Sequence, residues 1–357
     1  MARASPLAAP AANPFSNYKL EEYRIGEGTY GWVSRYHNTV TGQLVAIKTA
    51  KPLTWSKPGE TSIFTRREIV IMKEVTHPNV MGFVEVLLVD GVPKIVMPFM
   101  DGDLSKVIHD KGLILGESDI KCLSKQLFSG LEALHNKSFM HRDLSARNVL
   151  ICFQTGQLCI GDFGMSRSMT LQPMTAQVGT RCYRAPELLF GAVRYFSAVD
   201  IWSAGVLVAE MFSRKAIFAE DCELATLNKI FERMGSPSET NWPEALRLPD
   251  YLRFFNYERL PIQSWLEGIS SACAADFVDV ILVLDPQKRP YADVLLKTKF
   301  FTERPKATKR SMLPFVVRMH GSGSGGRRAL TEGGLVVATA AEPPAAPVDD
   351  AQLEEDW

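Results

Sequence analysis

Short runs in which apolar and polar side chains alternate dominate the first hundred residues. They predict strands beginning near Tyr18, around Arg35-Tyr36-His37, over Val45 to Lys48, over Val84 to Val89 and over Lys94 to Met97. Between them, Phe64, Ile71, Met72 and Val75 recur at helical spacing, which predicts one helix within Thr61 to Val75. Beyond residue 103 the period lengthens. Ile120, Leu123, Leu127, Leu131 and Leu134 form a helical stripe, and further helices are predicted over Val199 to Phe212 and Leu224 to Met234. Two short apolar runs, Val149-Leu150-Ile151-Cys152 and Leu158-Cys159-Ile160, flank Gln154-Thr155-Gly156-Gln157 and predict a buried hairpin. The expected class is α+β: a small antiparallel sheet with one helix, then a larger, mostly helical part. The alanine- and proline-rich residues 1–17 and the stretch 302–357, with its Gly/Ser/Ala/Pro composition and acidic terminus, are expected to be largely disordered.

Charge and composition remove several functions. The 357 residues carry a formal net charge of zero with no long basic run, which argues against nucleic acid as a direct ligand. No apolar run approaches the ~20 residues that span a bilayer, and Met1 to Pro14 lack the apolar core of a secretory signal. The six cysteines are scattered without a CxxC pair, as expected for reduced thiols in an intracellular protein.

The candidate chemistry lies on two loops around the predicted hairpin. His141-Arg142-Asp143-Leu144-Ser145-Ala146-Arg147-Asn148 places a carboxylate and an amide on one loop, and Asp162-Phe163-Gly164 adds a carboxylate on the next. Such a set orients a hydroxyl nucleophile and holds a divalent metal by oxygen atoms. Upstream, Gly26-Glu27-Gly28-Thr29-Tyr30-Gly31-Trp32-Val33 spells GxGxxGxV. Its glycines would let backbone N–H groups approach phosphates, although alone the pattern suits any glycine-containing hairpin equally well. Lys48 stands among apolar residues on a predicted strand, and Glu68 falls on the apolar face of the predicted helix. Two stranded opposite charges imply an ion pair between them.

Together with Tyr183-Arg184-Ala185-Pro186-Glu187 and Arg289, these segments resemble the protein kinase signature set over residues 18 to 301. The resemblance implies a two-lobed fold: a sheet lobe over about 18–97 with one regulatory helix, a linker at 98–103 and a helical lobe over 104–301. It implies ATP and Mg2+ as cofactors. Lys48 would hold the α- and β-phosphates, Asp143 would orient the acceptor hydroxyl, and Asn148 and Asp162 would ligate the metal. Ile25, Val33, Ala46 and Leu150 would sandwich the adenine beside Met97. The Pro98 carbonyl and Met100 N–H would meet its edge. Asp103 would either bond the ribose or cap the following helix. Asp200 would brace the catalytic loop, and Arg289 would pair with Glu187.

Within kinases the chain resembles the cyclin-dependent group, through its Glu-Gly-Thr-Tyr-Gly loop, Arg66-Arg67-Glu68-Ile69 and the insert from Gly235 to Tyr251. There, Glu187-Leu188-Leu189-Phe190-Gly191-Ala192 and the ending with Phe300-Phe301 and Arg304-Pro305 resemble the subgroup that activates other such kinases and phosphorylates RNA polymerase II. That implies a cyclin-type partner, protein substrates, serine/threonine specificity and a setting in the nucleus or cytoplasm. Thr29 and Tyr30 match a pair that carries inhibitory phosphates in cell-cycle members. Arg67, Arg142 and Arg167 would converge beneath the activation loop, where a phosphate on Thr175 would relieve their repulsion. The departures are Ser145 where serine/threonine kinases carry lysine, Arg147 as the cation that would compensate, Cys182 for a tryptophan, and Gly179 for the valine of proline-directed relatives. The rival readings are a cyclin-independent or dual-specificity relative, and a scaffold that has lost the chemistry.

Overall fold

Alternating apolar positions fold into a five-stranded antiparallel sheet: β1 (Tyr18–Gly28), β2 (Gly31–Asn38), β3 (Leu44–Ala50), β4 (Glu85–Val89) and β5 (Val92–Pro98), in the order β1-β2-β3-β5-β4. The computed structural model describes residues 14–28, 31–51 and 61–321; Thr29 and Tyr30 lie outside the described residues. The helix α1 (Ile63–Glu74) starts where the Ser62 hydroxyl accepts the Thr65 N–H at 3.2 Å. Its apolar face buries Ile71 and Met72 in a core shared with Ile95 and Met97 of β5.

The second lobe begins at β6 (Gly102–Asp103) and α2 (Leu104–His109). It continues through α3 (Glu117–Asn136), β7 (Phe139–Met140), β8 (Val149–Cys152), β9 (Gln157–Ile160) and β10 (Arg167–Ser168). Then follow α4 (Pro186–Leu189), α5 (Ala198–Ser213), α6 (Glu223–Met234), α7 (Ile262–Trp265), α8 (Ala272–Ile281), α9 (Ala292–Leu295), α10 (Lys299–Thr302) and α11 (Pro314–Gly321). The stripe from Ile120 to Leu134 is buried along α3, as its spacing implies. Helix α5 is apolar on all sides, and every residue from Val199 to Phe212 is buried, so it forms the axis of this lobe. The expected hairpin β8–β9 is present, with Leu150 facing Cys159.

Both expected disordered ends need correcting. Pro14–Asn17 form a 3-10 turn, with the Phe15 and Tyr36 rings edge-on at 5.3 Å and the Lys94 ammonium over the Phe15 ring. Residues 302–320 do not leave the domain. Lys121, fully buried on α3, donates to the Pro305 carbonyl at 2.9 Å, and Thr308 bonds Ser118 and Asp119. Leu313, Phe315 and Val316 are buried, Phe315 lies 5.5 Å from the Phe153 ring, and Arg318 pairs with Asp110 at 2.9 Å. The Gly/Ser/Ala composition that suggested a free tail starts only at Gly321, whereas Leu313 to Val317 is an apolar run that needs cover. Phe315→Ala should therefore lower stability by about 3 kcal/mol, read from the midpoint of chemical denaturation. An unchanged midpoint would show that the segment does not pack.

Candidate active site

Strand β3 carries Lys48 into the crevice between the lobes, in register opposite Val33 and Ile95. Its ammonium lies 2.8 Å from Glu68 Oε1 and 2.9 Å from Asp162 Oδ1. The predicted pair is thus one side of a triad joining β3, α1 and the loop after β9. Burial lowers the Lys48 pKa, but Glu68 and Asp162 outweigh burial and hold the ammonium above its ordinary value. At Asp162 the same lysine overrides desolvation and keeps the carboxyl below its usual range.

Across the crevice Asp143 is fixed from two directions. Its Oδ1 accepts both the N–H and the hydroxyl of Thr180 at 2.9 Å, and its Oδ2 accepts the Asn148 amide at 3.2 Å. The same amide donates to the Asp143 carbonyl at 2.7 Å, which leaves its oxygen as a candidate metal donor. Beneath, buried Asp200 accepts the N–H groups of His141 and Arg142, both at 2.8 Å, and sits 2.9 Å from His135 Nε2. That is the bracing expected of Asp200. Buried Phe163 meets the His141 ring edge at 5.5 Å, and His141 Nε2 lies 2.9 Å from the Gly161 carbonyl. Both loops store backbone strain: Arg142 and Asp162 adopt left-handed φ of 67° and 60°.

The nucleotide-side residues take the expected strands. Gly26 pairs with Val33, Ala46 with Met97, and Leu150 with Asp103. Val33, Met100 and Leu150 pack against the core that includes Ala46 and Met97, while Ile25 and Pro98 are exposed. Gly31 leaves no room for a side chain, since a Cβ would lie 2.5 Å from the Thr49 carbonyl. Glu27 pairs with Lys51 at 2.7 Å. Of the two roles open to Asp103, the helix cap is made: its carboxylate accepts the Lys106 N–H at 3.0 Å.

The activation segment is docked on the helical lobe. Ser168 and Arg167 pair with β7, and Met174 and Val178 are buried. Burial depresses the Arg142 pKa, and Arg167 lies close enough to add to the effect. The expected mutual repulsion is offset at Arg142 by Tyr195, 2.9 Å away, and by Asp200. Arg67 is buried on α1, and Thr175 is exposed. Ser145 is buried and Arg147 exposed, its charge reaching both Asp103 and Cys182. Arg289 grips Glu187 through both nitrogens, at 2.6 and 2.7 Å. Sequence reasoning missed Thr180, Tyr195 and Glu210. Only the Gly-Thr step before Tyr183 hinted at a special turn, since each of these residues acts through partners distant in the chain.

The protein kinase domain model matches residues 19–301. The chain belongs to the protein kinase family. Curated relatives include Cyclin-dependent kinase D-1 of Arabidopsis thaliana, 36% identical over 83% of this chain and 74% of that protein. Cyclin-dependent kinase 7 of Dictyostelium discoideum is 37% identical over 83% of both. The CTD kinase subunit alpha of Schizosaccharomyces pombe is 36% identical over 84% of this chain and 52% of that one. Among solved structures, the CAK complex from Chaetomium thermophilum bound to ATP-gamma-S superposes with a TM-score of 0.77 at 31% identity, covering 84% of this chain and 95% of that one. The yeast RNA Pol II CTD kinase CTDK-1 complex gives 0.75 at 30%, covering 86% and 99%. The molecule is a two-lobed serine/threonine protein kinase of the cyclin-dependent type, and it binds ATP.

One buried group makes the kinase pH-sensitive. Glu210, on α5, accepts the Tyr183 hydroxyl at 2.8 Å, and burial pushes its carboxyl up to about 7. The folded kinase therefore holds this proton more tightly than the unfolded chain does. Its stabilising contribution is full below the ordinary value of 4.5 and is lost as pH rises through 7. Between pH 4.5 and 8 wild type should lose on the order of 3 kcal/mol relative to Glu210→Gln, seen as diverging urea midpoints. Parallel pH profiles would remove Glu210 from this role.

Proposed function

We propose that this kinase transfers the γ-phosphoryl group of magnesium-bound ATP to protein serine and threonine hydroxyls under a cyclin-type regulatory subunit. The observation that carries this reading is the Lys48 ammonium held between Glu68 and Asp162, together with an Asp143 fixed by Thr180 and Asn148. Lys48 would bind the α- and β-phosphates, and Glu68 would keep it aimed. Asp143 would orient the acceptor hydroxyl and take its proton. Asn148 and Asp162 would hold magnesium; the free amide oxygen of Asn148 and the half-exposed Asp162 carboxylate suit an oxygen-seeking cation. When bound, the metal supplies charge neutralisation at the phosphates. Catalysis would then consist of positioning and electrostatic stabilisation. Because Ser145 is uncharged and buried, Arg147 is the catalytic-loop cation assigned to the transferring phosphate. Phosphorylation of Thr175, whose carbonyl is joined to Arg142 through the Tyr195 hydroxyl, is the proposed activating event.

Substrate preference has its own support. Gly179 adopts φ 79°, a Cβ there would lie 2.5 Å from the Arg142 carbonyl, and its own carbonyl accepts Arg184 Nη2 at 2.8 Å. That oxygen is turned away from an incoming peptide. A substrate residue following the target would find no acceptor for its N–H, a loss that proline does not suffer.

Incubation with magnesium, labelled ATP and peptides tests the reading. Asp143→Asn should reduce turnover by at least ~10³-fold and Arg147→Ala by about tenfold. A Ser-Pro peptide should exceed its Ser-Ala counterpart by about tenfold in kcat/KM. Equal labelling by Asp143→Asn would overturn the catalytic assignment. Mass spectrometry of co-purifying proteins should find a cyclin-fold subunit, and repeated absence of one would remove the cyclin.

A further inference from the structure

We propose that Tyr195 is a positioning residue that holds the activation segment in its substrate-binding form while Thr175 carries no phosphate. Tyr195 is buried, and its hydroxyl makes two bonds of opposite sense. It donates to the Thr175 carbonyl at 2.6 Å and accepts from Arg142 Nη1 at 2.9 Å. A phenol can satisfy a guanidinium and a carbonyl at once; phenylalanine in the same space can satisfy neither.

The far end of this relay is rigid. The Arg142 N–H is fixed to Asp200 at 2.8 Å, its Nε donates to the Met165 carbonyl at 2.8 Å, and the next residue is Asp143. The near end is anchored as well: the Met174 N–H bonds the Val193 carbonyl at 2.6 Å, and Met174 is buried. Tyr195 thus ties the backbone at Thr175 to the residue that positions the catalytic aspartate. Thr175 is exposed and the relay uses only its backbone carbonyl, which leaves its hydroxyl open to modification.

A phosphate on Thr175 would offer acceptors of its own to Arg142 and make the Tyr195 hydroxyl dispensable. This part rests on Thr175 as the phosphosite; the unphosphorylated part does not. In the full-length chain with its co-purified subunit, Thr175→Ala/Tyr195→Phe should show a peptide KM about tenfold above that of Thr175→Ala, with the KM for ATP unchanged. Amide exchange over residues 174–178 should quicken about tenfold, while exchange in β3 and β5 stays the same. With Thr175 phosphorylated, Tyr195→Phe should change peptide KM by less than about twofold. Equal losses with and without phosphate would make Tyr195 merely structural, and no loss in either form would end the proposal. If mass spectrometry finds no phosphate on Thr175, the phosphosite falls while the Thr175→Ala comparison still decides the relay.

Discussion

The site depends on one ammonium shared by two carboxylates. A lone Lys48 buried on a strand would be driven toward neutrality, and a lone Glu68 on the inner face of α1 toward protonation. Each is tolerated because the other is there, and Asp162 from the second lobe completes the balance. The triad therefore does two things: it aims a cation at the crevice, and it links the sheet, the helix and the loop after β9. Displacing α1 would separate Glu68 from Lys48, leaving the lysine to Asp162 alone and the glutamate without its partner, which makes this arrangement a natural point of control.

The second lobe supplies rigidity by another route. Asp200 rises from an apolar helix to hold two consecutive backbone N–H groups, and that grip sustains the left-handed Arg142 immediately before Asp143. Thr180 and Asn148 then set the carboxylate itself. Pre-organisation here comes from an over-determined hydrogen-bond network rather than from unusual side chains.

Much of this was legible in the sequence. Alternation and helical spacing located the sheet, α1, α3, α5 and the β8–β9 hairpin, and stranded charges located the Lys48–Glu68 pair before any coordinates. What stayed hidden was relational. Thr180, Tyr195 and Glu210 look like ordinary polar residues until chain segments 20 to 40 positions away are brought against them. The packing of the activation segment left no periodic trace because it uses isolated residues, Met174 and Val178. Asp103 could be read two ways because capping and ligand binding ask for the same carboxylate.

The docked stretch after α10 sets the true extent of the folding unit. The protein kinase domain match ends at residue 301, yet Lys121 finds its carbonyl partner at Pro305, and the hairpin that spaces the two catalytic loops rests, through Phe153, on Phe315. A fragment cut after residue 301 would bare that apolar seam and leave a buried cation short of a partner. It would be expected to aggregate, however complete its catalytic residues.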